Sequence, residues 1–186
     1  MSKGYSGLFS GTLGTSYLNK LLKDSSYSDR GIEIPEKIKK ILSKLTKKGD
    51  YISAPEEELS MLNVSIMSKE TGVEFARVTI GNKTYLICGD ERGTMIPNKL
   101  LRQIERYKGT LDFHTHPHDN DCIPSSADKK VMKVLKKVTS QKTSRIVTPN
   151  GKNILYDEHG VIEIGTVPNH IDSAYEKILI KLFGGK

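Results

Sequence analysis

Residues 111–130, LDFHTHPHDNDCIPSSADKK, gather three of the chain's five histidines, four carboxylates and one of its two cysteines into twenty positions. His114 and His116 stand two apart at the end of a strand-like run. On a strand, residues two apart point to the same face, so both imidazoles project together while Thr115 turns away. Two imidazoles held in this way can ligate one ion at about 2.0–2.1 Å, and zinc often takes a carboxylate as third ligand while keeping a fourth position for water. Asp128 is the carboxylate that the spacing favours, because it falls one turn into the predicted helix that follows, where the chain must fold back. The chemistry of such a site is hydrolytic, since the ion lowers the pKa of its water from 15.7 to about 7.

His118, Asp119, Asp121 and Cys122 are rival ligands within the same loop. Ser125 reads both as a catalytic helper and as the N-cap of a capping box in which Asp128 returns the bond, and the two roles are compatible. His159 falls in a predicted turn and His170 near a predicted helix start, both positions of structural use. Asp112-His114-His116 also matches the DxHxH pattern that ends a strand in barrel-type metal-dependent phosphoesterases and amidohydrolases. Such barrels run to about 250 residues, with the motif near their start, whereas only 70 residues follow His116 here.

Around this stretch the elements follow from periodicity. Residues 1–30, rich in Gly, Ser and Tyr, read as a flexible leader or linker, which leaves 31–186 as one domain. Glu33-Ile34-Pro35 opens a helix with Ile38, Ile41, Leu42 and Leu45 on one stripe, ended by Lys47-Lys48-Gly49. Ser53, Pro55 and the acidic run Glu56-Glu57-Glu58 announce a second, with Leu59, Leu62, Ile66 and Met67 inward and Thr71-Gly72 as its end. Glu74–Ile80 and Lys83–Cys88 alternate with period two across Gly81-Asn82 and read as a hairpin. Thr94–Ile96 reads as a short strand, Pro97–Tyr107 as a helix, and Leu111–Thr115 as the strand carrying the histidines, halted by Pro117. Ser125 begins a helix with Val131, Val134, Leu135 and Val138 on one face. Strands at Ser144–Val147, Asn153–Tyr156 and Val161–Ile164 precede an amphipathic helix over Ile171–Leu182. Strands and helices mix without strict βαβ alternation, so the expected class is α/β, or α+β, in three layers.

The net charge of +7 favours acidic partners. The lysines are nevertheless scattered over predicted helices as solvated faces. With 6% aromatic residues and no Trp there is no stacking platform, so nucleic acid is not an expected partner. Two cysteines argue against a disulfide scaffold, and Cys88, ending the run TYLIC, reads as a buried thiol. No stretch approaches the ~20 apolar residues of a membrane span, and the first residues lack a signal-peptide core. The expected setting is cytoplasmic, unless a specialised export route or a larger precursor supplies the address.

HTHP followed by SxxD resembles the metalloprotease signature of the JAB/MPN (JAMM) family, which runs as a remote Glu, then HxHP, then SxxD. The matching residues are His114-Thr115-His116-Pro117 and Ser125-Ser126-Ala127-Asp128. The resemblance implies a cytidine-deaminase-like mixed sheet flanked by helices, with Zn2+ held by His114, His116 and Asp128. It implies that Ser125 stabilises the oxyanion and that an upstream glutamate is the general base. Glu74 in TGVEFARVTI takes that role, with Glu70 and Glu91 as alternatives. The run TGVEFARVTIGNKTYLICGDE is similar to the hairpin before the metal motif in JAB-like domains of bacterial polymorphic toxins, and SQKTSRIVTPNGKNILYDEHG to the strands after it. GYSGLFSGTLGT resembles linkers that precede toxin modules.

The activity so implied is hydrolysis of an amide bond in a peptide or protein substrate, including an isopeptide to a ubiquitin-like tail. The chain would act alone or as a toxin module met by an immunity protein. The alternatives are a metal-binding or nucleic-acid-binding interaction module without peptidase activity, or another metal-dependent hydrolase. Eleven residues separate His116 from Asp128, one more than is usual in the family, which places an extra residue in loop 118–124.

Overall fold

The computed structural model of the chain describes residues 36–167. The expected leader over 1–30, the helix start at 33–35, His170 and the helix over 171–182 lie outside them. The described elements are α1 (Glu36–Leu42), β1 (Tyr51–Ser53), α2 (Met61–Thr71), β2 (Phe75–Ile80), β3 (Lys83–Cys88), α3 (Asn98–Tyr107), β4 (Thr110–Thr115), α4 (Ser126–Thr139), β5 (Ser144–Val147), β6 (Lys152–Tyr156) and β7 (Val161–Thr166). The seven strands form one mixed sheet in the order β1-β3-β2-β4-β5-β6-β7. Only β4 and β5 pair in parallel, and α4 is the crossover between them.

Helices cover both faces. On one, Ile38, Leu42, Val64 and Met67 from α1 and α2 pack on Phe75, Leu86 and Phe113. On the other, Leu100 and Ile104 of α3 and Met132 and Leu135 of α4 pack on Ala76, Val78, Leu111, Ile146 and Tyr156. The three layers expected from the mixed element order are therefore present. No described helix is long and apolar enough to cross a membrane.

The β2–β3 hairpin is as expected, with Gly81 at φ +61° in its two-residue turn, the left-handed value that a primed turn requires. Cys88 is fully buried, and burial together with Asp50 and Asp90 pushes its thiol up to about 12. Other boundaries differ. The first helix stops at Leu42 rather than running to Leu45, because the Asp50 carboxylate accepts from Thr46 N, Thr46 Oγ1 and Lys47 N, each at 3.0 Å, and draws the chain into a turn. Ser53 does not start a helix. It ends β1, which pairs with β3 at the sheet edge, and the acidic run folds as turns on Pro55. The true N-cap is Ser60, whose hydroxyl accepts from Asn63 N. Thr94–Ile96 is no strand, since only an isolated bridge links Asp90 to Gly93. In α4 the inner face is Met132 and Leu135, whereas Val131 and Val134 are exposed.

One irregularity matters for the site. The β2–β4 register shifts between Arg77 and Val78, so that Val78 pairs with Leu111 and Arg77 with Phe113, leaving Asp112 as the extra residue of a β-bulge. Asp112 accordingly shares the face of Phe113. Its carboxylate accepts from Arg77 Nε at 3.0 Å and Thr79 Oγ1 at 2.6 Å, and the Arg77 guanidinium lies 4.8 Å from the Phe113 ring centroid. Leu111 and His114 fall on the α3/α4 face instead.

Candidate metal centre

His114 is the Cα partner of Ala76 on β2 and of Ile146 on β5, so it sits mid-sheet and buried on the α3/α4 face. His116 lies just past the strand, where its N–H donates to Val147 O at 3.1 Å and carries the parallel ladder one residue further. Thr115 between them turns to the opposite face and accepts Phe75 N–H on its hydroxyl at 2.9 Å. Pro117 has no N–H to continue the ladder, and the strand ends there. The chain turns back through residues 118–124 and enters α4 at Ser125.

The two Nε2 atoms stand 3.1 Å apart. Asp128, in the first turn of α4, brings Oδ1 to 3.3 Å from His114 Nε2 and Oδ2 to 3.6 Å from His116 Nε2. An ion with tetrahedral bonds of about 2.0–2.1 Å spaces its ligand atoms about 3.3 Å apart. Each of these approaches is close to that edge, and the donor set of two imidazoles and one carboxylate suits zinc. Among the described residues, His114, His116 and Asp128 form the one group of three His, Cys, Asp or Glu side chains whose ligand atoms all lie within 4.8 Å of one another.

The rival ligands lie elsewhere. Asp121 brings its carboxylate to 3.3 Å from Nδ1 of His116, the far side of that ring. Its backbone carbonyl accepts at the same nitrogen at 2.9 Å. A carbonyl can only accept, so Nδ1 carries the proton and Nε2 keeps a lone pair for the convergence point. Cys122 Sγ is 3.4 Å from Lys152 Nζ and packs at the margin of the core. His118 and Asp119 are exposed. Together with Asn120, Pro117, Lys69 of α2 and Pro149 they line a polar cleft of about 410 Å³. Asp112 belongs to the other face of the sheet, so the DxHxH reading fails: its aspartate cannot join the two histidines.

Ser125 is the N-cap of α4, as one of its two readings has it. Its hydroxyl donates to Asp128 Oδ2 at 2.6 Å and accepts Asp128 N–H at 3.1 Å, while Ser125 N–H reaches the same Oδ2 at 2.7 Å. The capping box thus occupies Oδ2 and leaves Oδ1 as the freer oxygen.

Glu74 immediately precedes β2. Ala76 pairs with His114, and continuing that register by two residues sets Glu74 opposite His116. Cross-strand partners share a face, so Glu74, His114 and His116 project on one side. Glu74 is tied down by its backbone, with its N–H donating to Asp90 O at 2.9 Å and its carbonyl accepting Gly89 N–H at 2.8 Å. Gly89 allows this approach, because a Cβ there would meet Glu74 O at 2.8 Å and Gly93 O at 2.7 Å. The alternatives are placed differently. Glu91 is exposed beside Arg92, and Glu70 lies half-buried near Lys69.

The charges are mutually adjusted. Burial raises the Glu74 carboxyl above its usual range, helped by Asp128 and Asp121 and opposed by His114 and His116. Burial would also raise Asp128, but hydrogen bonds from His114 and His116 hold it well below the ordinary carboxylate range. For His116 burial favours the neutral ring, yet Asp128, Glu74 and Asp121 carry it up to about 9. The carboxylate of Asp128 and the ring of His116 thus hold each other toward their charged forms.

Two supporting groups have no sequence signal of their own. The Asp121 carbonyl is backbone, and Tyr156, with its Oη 3.5 Å from His114 Nδ1, reads in the sequence only as an inward position of a strand. No family model, no curated protein and no solved structure matches the chain.

Proposed function

We propose that the chain is a zinc-dependent peptidase or isopeptidase of the JAB/MPN (JAMM) type. The observation that carries this reading is the convergence of His114 Nε2, His116 Nε2 and the Asp128 carboxylate, with Glu74 on the same face of the sheet. Zinc held by those three side chains supplies Lewis acidity and a water acidified to about pKa 7. Glu74, held above the usual carboxylate range in a site of opposing charges, is suited to take a proton from the attacking water and return it to the leaving nitrogen. Ser125 stands at the rim, exposed, where its hydroxyl can turn from Asp128 to a developing oxyanion. The cleft lined by Pro117 and His118, the residues that follow His116 in the chain, offers an extended substrate a polar bed.

The resemblance of the leader and the flanking strands to toxin domains points to a toxin module met by an immunity protein. The test begins with zinc quantified in protein purified without added metal. Hydrolysis is then measured on quenched peptides and on lysine isopeptides to a ubiquitin-like tail. One equivalent of zinc with cleavage of either substrate supports the proposal. Zinc without cleavage of any amide favours the interaction module, and a protein that takes up no zinc sinks the reading.

A further inference from the structure

Resting on the metal reading above, we infer that Tyr156 is the positioning residue of His114: its phenol oxygen accepts the Nδ1 proton and fixes the tautomer that leaves Nε2 for the ion. His116 and His114 meet the site through the same nitrogen, but their far sides are held by different means. For His116 the holder is the Asp121 carbonyl at 2.9 Å, which can only accept. For His114, among the described residues, the group at Nδ1 is the Tyr156 hydroxyl, at 3.5 Å, with the two rings edge-to-face at 84° and their centroids 5.7 Å apart.

A phenol can donate or accept, so its role depends on where its own proton goes. Tyr156 pairs directly with Ser144 in the β5–β6 ladder, so the two side chains share a face of the sheet. The Ser144 hydroxyl spends its proton on Leu111 O at 2.8 Å and so has lone pairs to accept with. In the proposed arrangement protons run in one direction, from His114 Nδ1 to Tyr156, onward to the lone pairs that Ser144 has left, and from Ser144 to the Leu111 carbonyl, which can only accept. Tyr156 is 0% exposed, Ser144 3% and His114 4%, so these groups are shut off from bulk solvent. Partners of this kind, behind a ligating histidine, orient the ring and change metal affinity when removed.

The experiment uses the full chain and zinc itself. Tyr156→Phe keeps the ring and the core and removes only the acceptor. Competitive titration is expected to show zinc bound about 10–100-fold more weakly than by the wild type. In the zinc-loaded proteins, the His114 Nδ1–H resonance should shift and exchange faster in the variant, while that of His116, held by Asp121, stays in place. This contrast separates orientation of one ring from general loosening of the fold, which would disturb both. Ser144→Ala should weaken zinc in the same direction by a smaller factor. Wild-type zinc binding together with unchanged affinity and an unchanged His114 resonance in Tyr156→Phe would overturn the inference and leave the metal site standing. Failure of the wild type to bind zinc would overturn both.

Discussion

Ser125 and Asp128 brace each other through both ends of the capping box, with Ser125 N–H and Oγ–H donating to Oδ2 and Asp128 N–H returning to Ser125 Oγ. The helix cap and the proposed metal ligand are thus one structure. Ser125→Ala should cost about 1 kcal/mol of stability as a lost N-cap. It should also weaken zinc binding by roughly tenfold, as a lost ligand support does. Urea unfolding and zinc competition measure the two separately. If Ser125 also serves the oxyanion, turnover should fall by about 10²–10³ even at saturating zinc, whereas a cap alone predicts recovery once zinc is saturating.

Continued past Ala76 and His114, the β2–β4 register sets Glu74 opposite His116, yet Glu74 contributes no atom to the group of His114, His116 and Asp128. Glu74→Gln should therefore reduce turnover by about 10²–10⁴, the usual worth of a positioned base, with zinc content unchanged. Loss of zinc along with activity would show that the residue has been given the wrong role. Gly89→Ala should produce a milder form of the same defect. Its new Cβ presses on the Glu74 carbonyl, so turnover should fall while zinc stays.

Protons and metal compete for the same atoms. His116 is raised from an ordinary 6.5 to about 9, so its contribution to metal-free stability is complete below pH 6.5 and lost as pH rises through 9. Asp128 is lowered from an ordinary 3.8, so its contribution is present above that value and lost as pH falls. Metal-free protein should therefore be most stable between about pH 4 and 6.5 as far as this pair decides it, and chelation of zinc there should leave it folded. Zinc uptake should release close to one proton near pH 7 and tighten as pH rises toward 9. Calorimetry in buffers of different ionisation enthalpy reads the proton count. A proton-neutral uptake would contradict a raised His116.

Asp112 accepts from Arg77, Thr79 and Thr110 on the side of the sheet away from the histidines. Asp112→Ala should destabilise the fold by about 1–3 kcal/mol, the cost of stranding partly buried donors. Zinc affinity should remain at the wild-type level, provided the measurement is made well below the melting temperature. A selective loss of zinc would reinstate Asp112 as part of the metal site.

The candidate ligand set is legible in the sequence because it is local: a strand end, a tight return and a helix N-terminus bring His114, His116 and Asp128 together within fifteen positions. Whatever depends on pairing between distant segments is less legible. The choice among Glu70, Glu74 and Glu91 turns on the β2–β4 register, which no single-segment pattern contains. Asp112 appears in phase with His114 until the bulge takes it to the other face. The inner face of α4 is ambiguous for a related reason. Val131, Val134 and Val138 share one helical stripe, while Met132 and Leu135 share another, and only the position of the sheet decides between them. β1 has three residues, too few to display a period, and its identity comes from the free edge of β3.

The short span between the three ligand residues also bears on the order of events during folding. Closing a loop of about ten residues takes on the order of 10–100 ns, far less than long-range strand pairing. The β4 end and the first turn of α4 can therefore approach each other, and capture an ion, before the sheet is complete. Glu74 reaches the site only when β2 docks on β4, some forty residues away along the chain. On the proposed reading, a nascent chain can take up its ion before Glu74 is in place, and hydrolysis waits on the β2–β4 pairing.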